Sequence, residues 1–184
     1  MGLFKDPFGA RENVTESIDE YGPLSMPPSA EAGAILAVMS EEEKVNFSEL
    51  LRHLQEELES HAEQDQSVKV HFEGRAAFWG IAFGKIADHY RDIGRNDKAM
   101  FFSSTAWNVS KFPVFAFNMG LLAFLAEDYE HARTLFQTYL SEYRTVLTSP
   151  KWNTLKLLRT EWTEKELERL AESARAKIAA IDME

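Results

Sequence analysis

The feature of the sequence that most constrains its fold is a short internal repeat. Residues 94–99 (GRNDKA) and 127–132 (EDYEHA) align with a shift of 33 residues, and each segment lies between two stretches of helical periodicity. Each ends in an alanine, Ala99 or Ala132, where the second helix of a pair must approach the first closely. Helices separated by such short breaks lie antiparallel. The repeat therefore predicts two consecutive helical hairpins.

The helices around the repeat are delimited by turn and capping residues. Apolar spacings of three and four predict helices over 29–39, 41–60, 75–92, 96–110, 114–126, 129–147 and 163–181. Ser40 with Glu43, and Thr163 with Glu166, have the spacing of capping boxes at two of the starts. The five alternating residues 68–72 cannot form a sheet alone. We therefore expect an all-α chain.

Small and aromatic residues at matching positions of the two hairpins resemble the tetratricopeptide repeat, whose unit of about 34 residues forms two antiparallel helices. The matching residues are Ala87, Tyr90, Gly94, Ala99 and Ala106 in the first unit and Gly120, Ala132 and Phe136 in the second, and Phe83 stands where the family's aromatic residue opens the unit. Three positions depart from the pattern. Ser103 replaces a large aromatic residue, Ala123 stands where Tyr90 stood, and Tyr139 replaces a small residue.

The resemblance implies two units, at about 80–112 and 113–146, stacked as a short right-handed superhelix. About three units are usually needed to bury a continuous core, so the helices at 41–60 and 163–181 are expected to flank and cap the stack. The predicted organisation is an N-terminal arm over 1–28, interrupted by prolines and glycines, and a single helical domain over 29–184.

The same resemblance implies a concave face, formed by residues 77–91 and 114–125, that binds a peptide or helix of a partner protein. The candidate binding residues are Lys85, Asp88, Arg91, Asn118 and Phe115. Phe115, like Phe78, Trp79 and Phe117, has the alternative role of a core residue. The family's clamp for a C-terminal carboxylate is not expected, because Gly84 and Asp88 stand where Lys and Asn are required.

Composition argues against several classes of function. The formal net charge is −10 with no dense basic run, which disfavours nucleic acid and anionic membrane surfaces as partners. The absence of cysteine excludes disulfides, thiolate metal sites and a cysteine nucleophile. No apolar run reaches the roughly 20 residues that span a bilayer. The start of the chain lacks the long apolar stretch of a signal peptide, so we expect a cytoplasmic protein.

The candidate chemical sites are sparse. His53, Glu57 and His61 share one helix face but lack a further ligand, and His89 beside Asp88 and Asp92 has the spacing of surface pairs. No nucleophile-elbow, Walker or dinucleotide motif occurs, so neither enzymatic activity nor a cofactor or metal is predicted. The leading hypothesis is a protein-interaction module. The alternatives are a self-assembling structural subunit and an enzyme or small-molecule sensor with a site in a helical groove around His89.

Overall fold

The computed structural model describes residues 27–64, 74–149 and 162–183, and this part of the chain contains helices and connecting turns but no strand. The all-α prediction is confirmed. The predicted arm, apart from its last two residues, and the alternating segment 68–72 lie outside the described residues. The helices are α1 (Ala30–Val38), α2 (Glu41–Gln64), α3 (Gly74–Asp92), α4 (Asn96–Ser110), α5 (Pro113–Leu125), α6 (Tyr129–Glu142), α7 (Thr145–Thr148) and α8 (Glu164–Ile181).

One predicted helix boundary is wrong, because the helix expected over 129–147 is divided. Helix α6 ends at Glu142, and the chain turns at Tyr143 before α7. The amides of Val146 and Leu147 donate to carbonyls three residues earlier, at 3.3 and 3.1 Å, which tightens the last turn. The turn buries Val146 and stacks the ring of Tyr143 on Tyr139.

The two hairpins, α3–α4 and α5–α6, close through the same backbone bonds. In the first turn the amide of Arg95 donates to the carbonyl of Tyr90 at 2.8 Å. In the second, 33 residues later, the amide of Asp128 donates to the carbonyl of Ala123 at 3.0 Å. Both are six-to-one bonds of the kind that end helices at a left-handed residue. That residue is Gly94, with φ +75°, in the first turn and Glu127, with φ +60°, in the second.

The helices pack in a chain of neighbours that places α2 on one flank and α8 on the other. Helix α3 packs along α4, α4 on α5, and α5 on α6, while α2 contacts α3, α1 contacts α4, and α8 contacts α6 and α5. On the first flank the ring of Phe47 stacks on Phe83, with centroids 4.5 Å apart. On the other, Phe112 stacks on Trp162 at 4.6 Å. Buried aromatic rings therefore anchor both flanking segments.

Two of the predicted capping residues hold the starts of the flanking helices. At α2 both halves of the capping box are present. The amide of Glu43 donates to Ser40 Oγ at 3.2 Å, and the amide of Ser40 donates to Glu43 Oε2 at 2.8 Å. At α8 the amide of Glu166 donates to Thr163 Oγ1 at 3.2 Å, but the carboxylate of Glu166 pairs with Arg169.

Candidate functional site

A surface groove of about 500 Å³ lies between α2 and α3. The two helices run antiparallel there, because Glu43 near the start of α2 meets Tyr90 near the end of α3, and Phe47 meets Trp79. The groove is lined by Glu42, Glu43, Asn46, Glu49, Leu50 and His53 of α2, by Lys85, Ile86, His89 and Tyr90 of α3, and by Ile93 in the turn that follows α3.

The lining residues recur along both helices at the spacing of successive turns. On α2 they extend from Glu42 to His53, which at 1.5 Å per residue is about 16 Å. On the other side they extend from Lys85 of α3 to Ile93, just after the end of that helix. The site is therefore an elongated groove that follows the helix axes, instead of a compact cavity.

The groove combines an apolar surface with charged walls. Ile86 is buried, Leu50 is half-buried, and Ile93 is 58% exposed although it is a large aliphatic residue. The exposed side of Ile93 and the accessible part of Leu50 give the groove apolar surface that a bound segment would remove from water.

Three charged side chains that line the groove lack partners within the described part of the chain. Glu42 and Glu49 on α2, and Lys85 on α3, form no ion pair or hydrogen bond with other described residues. Charges just outside the groove are paired, as in the contact between Lys44 and Glu41 at 2.7 Å. Within the described residues, the groove therefore presents unpaired carboxylates on one wall and an unpaired ammonium on the other.

A polar network closes the end of the groove beside Glu43. The carboxylate of Glu43 accepts hydrogen bonds from the hydroxyl of Tyr90 at 2.6 Å and from Lys98 Nζ at 2.5 Å, besides the amide of Ser40. Burial alone would raise the pKa of Glu43, but the bonds from Lys98, Tyr90 and Ser40 outweigh it and lower the pKa to about 2. Glu43 is thus an ionised, satisfied carboxylate that ties α2 to α3 and α4.

The structure separates the predicted binding residues. Lys85 lines the groove. Asp88 and Arg91 lie on the same helix outside the groove lining, with Arg91 Nη2 3.0 Å from Asp88 Oδ1. Asn118 is half-buried on α5 and is not a lining residue.

Phe115 belongs to the core. It is 1% exposed, and its ring lies 6.0 Å from that of Phe112 and 5.9 Å from that of Trp162. Phe115 therefore has no surface to offer a partner, because the start of α5 turns it toward the segment that leads into α8. The other three aromatic candidates, Phe78, Trp79 and Phe117, are buried as well.

The histidines do not assemble a metal site within the described ranges, where no group of three histidine, aspartate or glutamate side chains has the required geometry. His53 Nδ1 lies 3.5 Å from Glu56 instead of joining Glu57, and the side chain of His61 is outside the described part. His89 packs edge-on against Tyr90, with centroids 5.6 Å apart, and lines the groove.

The contribution of α2 to the groove was missed by sequence reasoning, which placed binding on the first helices of the hairpins. A signal was present in the sequence. Glu42 and Glu49 are seven residues apart, and Leu50 lies beside the second of them. Residues seven apart share a face of a helix, so these positions form a second stripe next to the buried one that contains Phe47.

Comparisons of the chain with protein-family models, with curated proteins and with solved structures gave no match. No helix in the described ranges is both long enough and apolar enough to cross a membrane.

Proposed function

We propose that this chain is a protein-interaction module, without catalytic activity of its own, that binds a segment of a partner protein in the groove between α2 and α3. The observation that carries the proposal is the combination of exposed apolar surface at Ile93 with charges at Glu42, Glu49 and Lys85 that have no partner among the described residues. Apolar burial would supply affinity, and the charges would set orientation and selectivity.

The shape of the groove favours a peptide segment over a compact ligand. Its lining follows three turns of α2 and the last turns of α3, so an occupant contacts both helices along its length. A groove between two helices is the surface into which a third helix or an extended peptide packs. Of the residues predicted from the sequence, Lys85 is retained in this proposal. Binding by Asp88, Arg91 or Asn118 stays a prediction.

Selection of peptides from a random display library on the folded chain tests the proposal. The groove is blocked by Asn46→Trp, because Asn46 is exposed and lines the groove. The matched control is Ser48→Trp, which adds the same side chain to an exposed position of α2 outside the lining. We expect selected peptides to lose binding to Asn46→Trp and to keep it with Ser48→Trp. A library that yields no binder, or binders that ignore Asn46→Trp, would contradict the proposal.

Self-association is a second candidate function, favoured by the surface of α1. Eight of its nine residues are uncharged, yet only Ala32 is buried. Val38 is 72% exposed, and Phe101 of the adjoining α4 is 43% exposed. Contact between two copies through this uncharged surface would bury apolar side chains without bringing like charges together.

The mass of the chain in solution tests this second candidate. Light scattering at rising concentration should show a dimer that Val38→Glu converts to a monomer. Leu125→Glu is the control, since Leu125 is also exposed, at 69%, but lies at the end of α5. A monomer at all concentrations would exclude self-association through α1.

A further inference from the structure

We infer that the segment bound in the groove is an amphipathic helix that carries two basic residues seven positions apart. This inference rests on the proposed function and specifies its partner. It depends on the spacing of the unpaired carboxylates, on the apolar surface between the walls and on the charge balance of the site.

The unpaired carboxylates have a defined spacing. Glu42 and Glu49 are seven residues apart on α2, so they share one face and their α carbons are separated by about 10 Å along the helix axis. Both side chains are exposed, and both line the groove. An occupant that pairs with both must present two cationic groups on one side at about the same separation.

This separation distinguishes a helical occupant from an extended one. In a helix, residues at i and i+7 lie on one face and are about 10 Å apart, which matches the two carboxylates. In an extended peptide, residues on one side recur at about 6.6 or 13 Å, so neither spacing matches. A third helix lying along α2 therefore pairs with both glutamates in register.

The apolar surface of the groove indicates which residues the bound helix would carry beside its basic ones. Leu50 and Ile86 cover the floor, and Ile93 stands exposed at one end. Aliphatic residues three and four positions after the first basic residue would lie between the two ion pairs and face this floor. Lys85, on the opposite wall, would then contact an acidic residue on the other edge of the same helix.

The charge balance favours a basic occupant. Glu43 is already paired with Lys98, so among the described lining residues two carboxylates, Glu42 and Glu49, face one ammonium, that of Lys85. The net charge of −10 on the whole chain adds long-range attraction for a basic segment. Binding should therefore weaken as the salt concentration rises.

Three synthetic peptides, each about four helical turns long, test the inference by fluorescence anisotropy against the full chain. The first carries Lys at i and i+7 with Leu at i+3 and i+4. The second has the same composition but places the two Lys residues five positions apart, on different faces of the helix. The third replaces both Lys residues with Glu. We expect the first peptide to bind about tenfold more tightly than either of the others at low salt.

The double variant Glu42→Lys, Glu49→Lys should reverse the preference, so that the peptide with two Glu residues binds best. Both positions are exposed, and circular dichroism verifies that the variant keeps its helices. Equal affinity for the three peptides, no binding of the first, or an unchanged order with the double variant would overturn the inference. The proposed function would then still be decided by the library selection with Asn46→Trp, which requires no particular charge pattern.

Discussion

The hydroxyl of Tyr90 donates a 2.6 Å hydrogen bond to the carboxylate of Glu43, which is 47 residues earlier in the chain. Lys98 Nζ contacts the same carboxylate at 2.5 Å and lies 4.9 Å from the centre of the Tyr90 ring. Glu43 is 7% exposed, so water contributes little to its solvation. These three side chains connect α2, α3 and α4 at one end of the groove, and they fix the position of the groove wall that carries Glu42.

Removing the hydroxyl of Tyr90 should destabilise the chain modestly. Tyr90→Phe keeps the ring that stacks on Phe102, with centroids 5.7 Å apart, and deletes one bond to a charged acceptor. We expect the free energy of unfolding to fall by about 1.5 kcal/mol, measured by urea denaturation. Glu43→Ala should cost about 3 kcal/mol, because it also leaves Lys98 without its partner in a partly buried position. Equal stability of all three proteins would show that the network contributes nothing.

The network should also make stability depend on pH. The pKa of Glu43 is lowered from 4.5 to about 2, so its carboxylate stabilises the folded chain above about pH 4.5. That contribution, roughly 3 kcal/mol, is lost progressively as the pH falls from 4.5 toward 2. The stability difference between wild type and Glu43→Gln should therefore shrink over this range in urea titrations. Glu42→Gln, at an exposed neighbour without a partner among the described residues, is the control, and it should keep the fall in stability between pH 4.5 and 2 because Glu43 is intact.

Ser40 and Glu43 show how far the sequence predicts the structure. Their spacing of three indicated a capping box, and both of its hydrogen bonds are present. The same carboxylate also binds Tyr90 and Lys98, but those contacts span 47 and 55 residues. Local periodicity specifies which face of a helix is apolar, and it does not specify which distant helix covers that face.

The sequence did not predict the groove, because local periodicity does not show which distant helices pack against each other. Lys85 was recognised as a polar residue on α3, but its position in a groove shared with α2 depends on how α2 packs through Phe47 on Phe83. The burial of Phe115 depends on Trp162, a residue beyond the repeat. The turns were easier to predict from the sequence, because the breaks at 94–99 and 127–132 were recognised from their residues alone.

The two hairpin turns carry different residues at their left-handed position, and this difference should affect the stability of the chain. Gly94 and Glu127 occupy equivalent left-handed positions, with φ of +75° and +60°, and only glycine adopts this conformation without a steric penalty. Glu127→Gly should raise the free energy of unfolding by about 1 kcal/mol. Gly94→Ala should lower it by about the same amount, although the added Cβ would meet nothing within 4 Å.

Gln137→Gly is the control for these turn substitutions. Gln137 is exposed within α6, where glycine costs about 1 kcal/mol because it loses more backbone entropy on folding. If Glu127→Gly destabilises the chain as Gln137→Gly does, the left-handed strain at Glu127 is not significant. Thermal and urea unfolding of the three variants distinguish these outcomes.

The close approach of the Phe115 ring to Gly84 of α3 leads to the last prediction. A Cβ on Gly84 would lie 2.5 Å from Cε1 of Phe115, whose ring packs edge-on against both Phe112 and Trp162. Gly84→Ala must therefore displace this ring or separate the helices. We expect the free energy of unfolding to fall by about 2 kcal/mol, even though alanine favours the helix by about 1 kcal/mol.

Gly33→Ala is the control that separates the steric effect of Gly84→Ala from the higher helix propensity of alanine. Gly33 lies within α1, and its added Cβ would be 3.5 Å from Pro27, an ordinary contact. This variant should be more stable than wild type by about 1 kcal/mol, because alanine restricts the unfolded chain more than glycine does. Phe115→Leu should lower the free energy of unfolding less in the Gly84→Ala variant than in wild type. The reason is that the smaller leucine leaves room for the new methyl group. Additive losses in this double-mutant cycle would show that Gly84 does not act through Phe115.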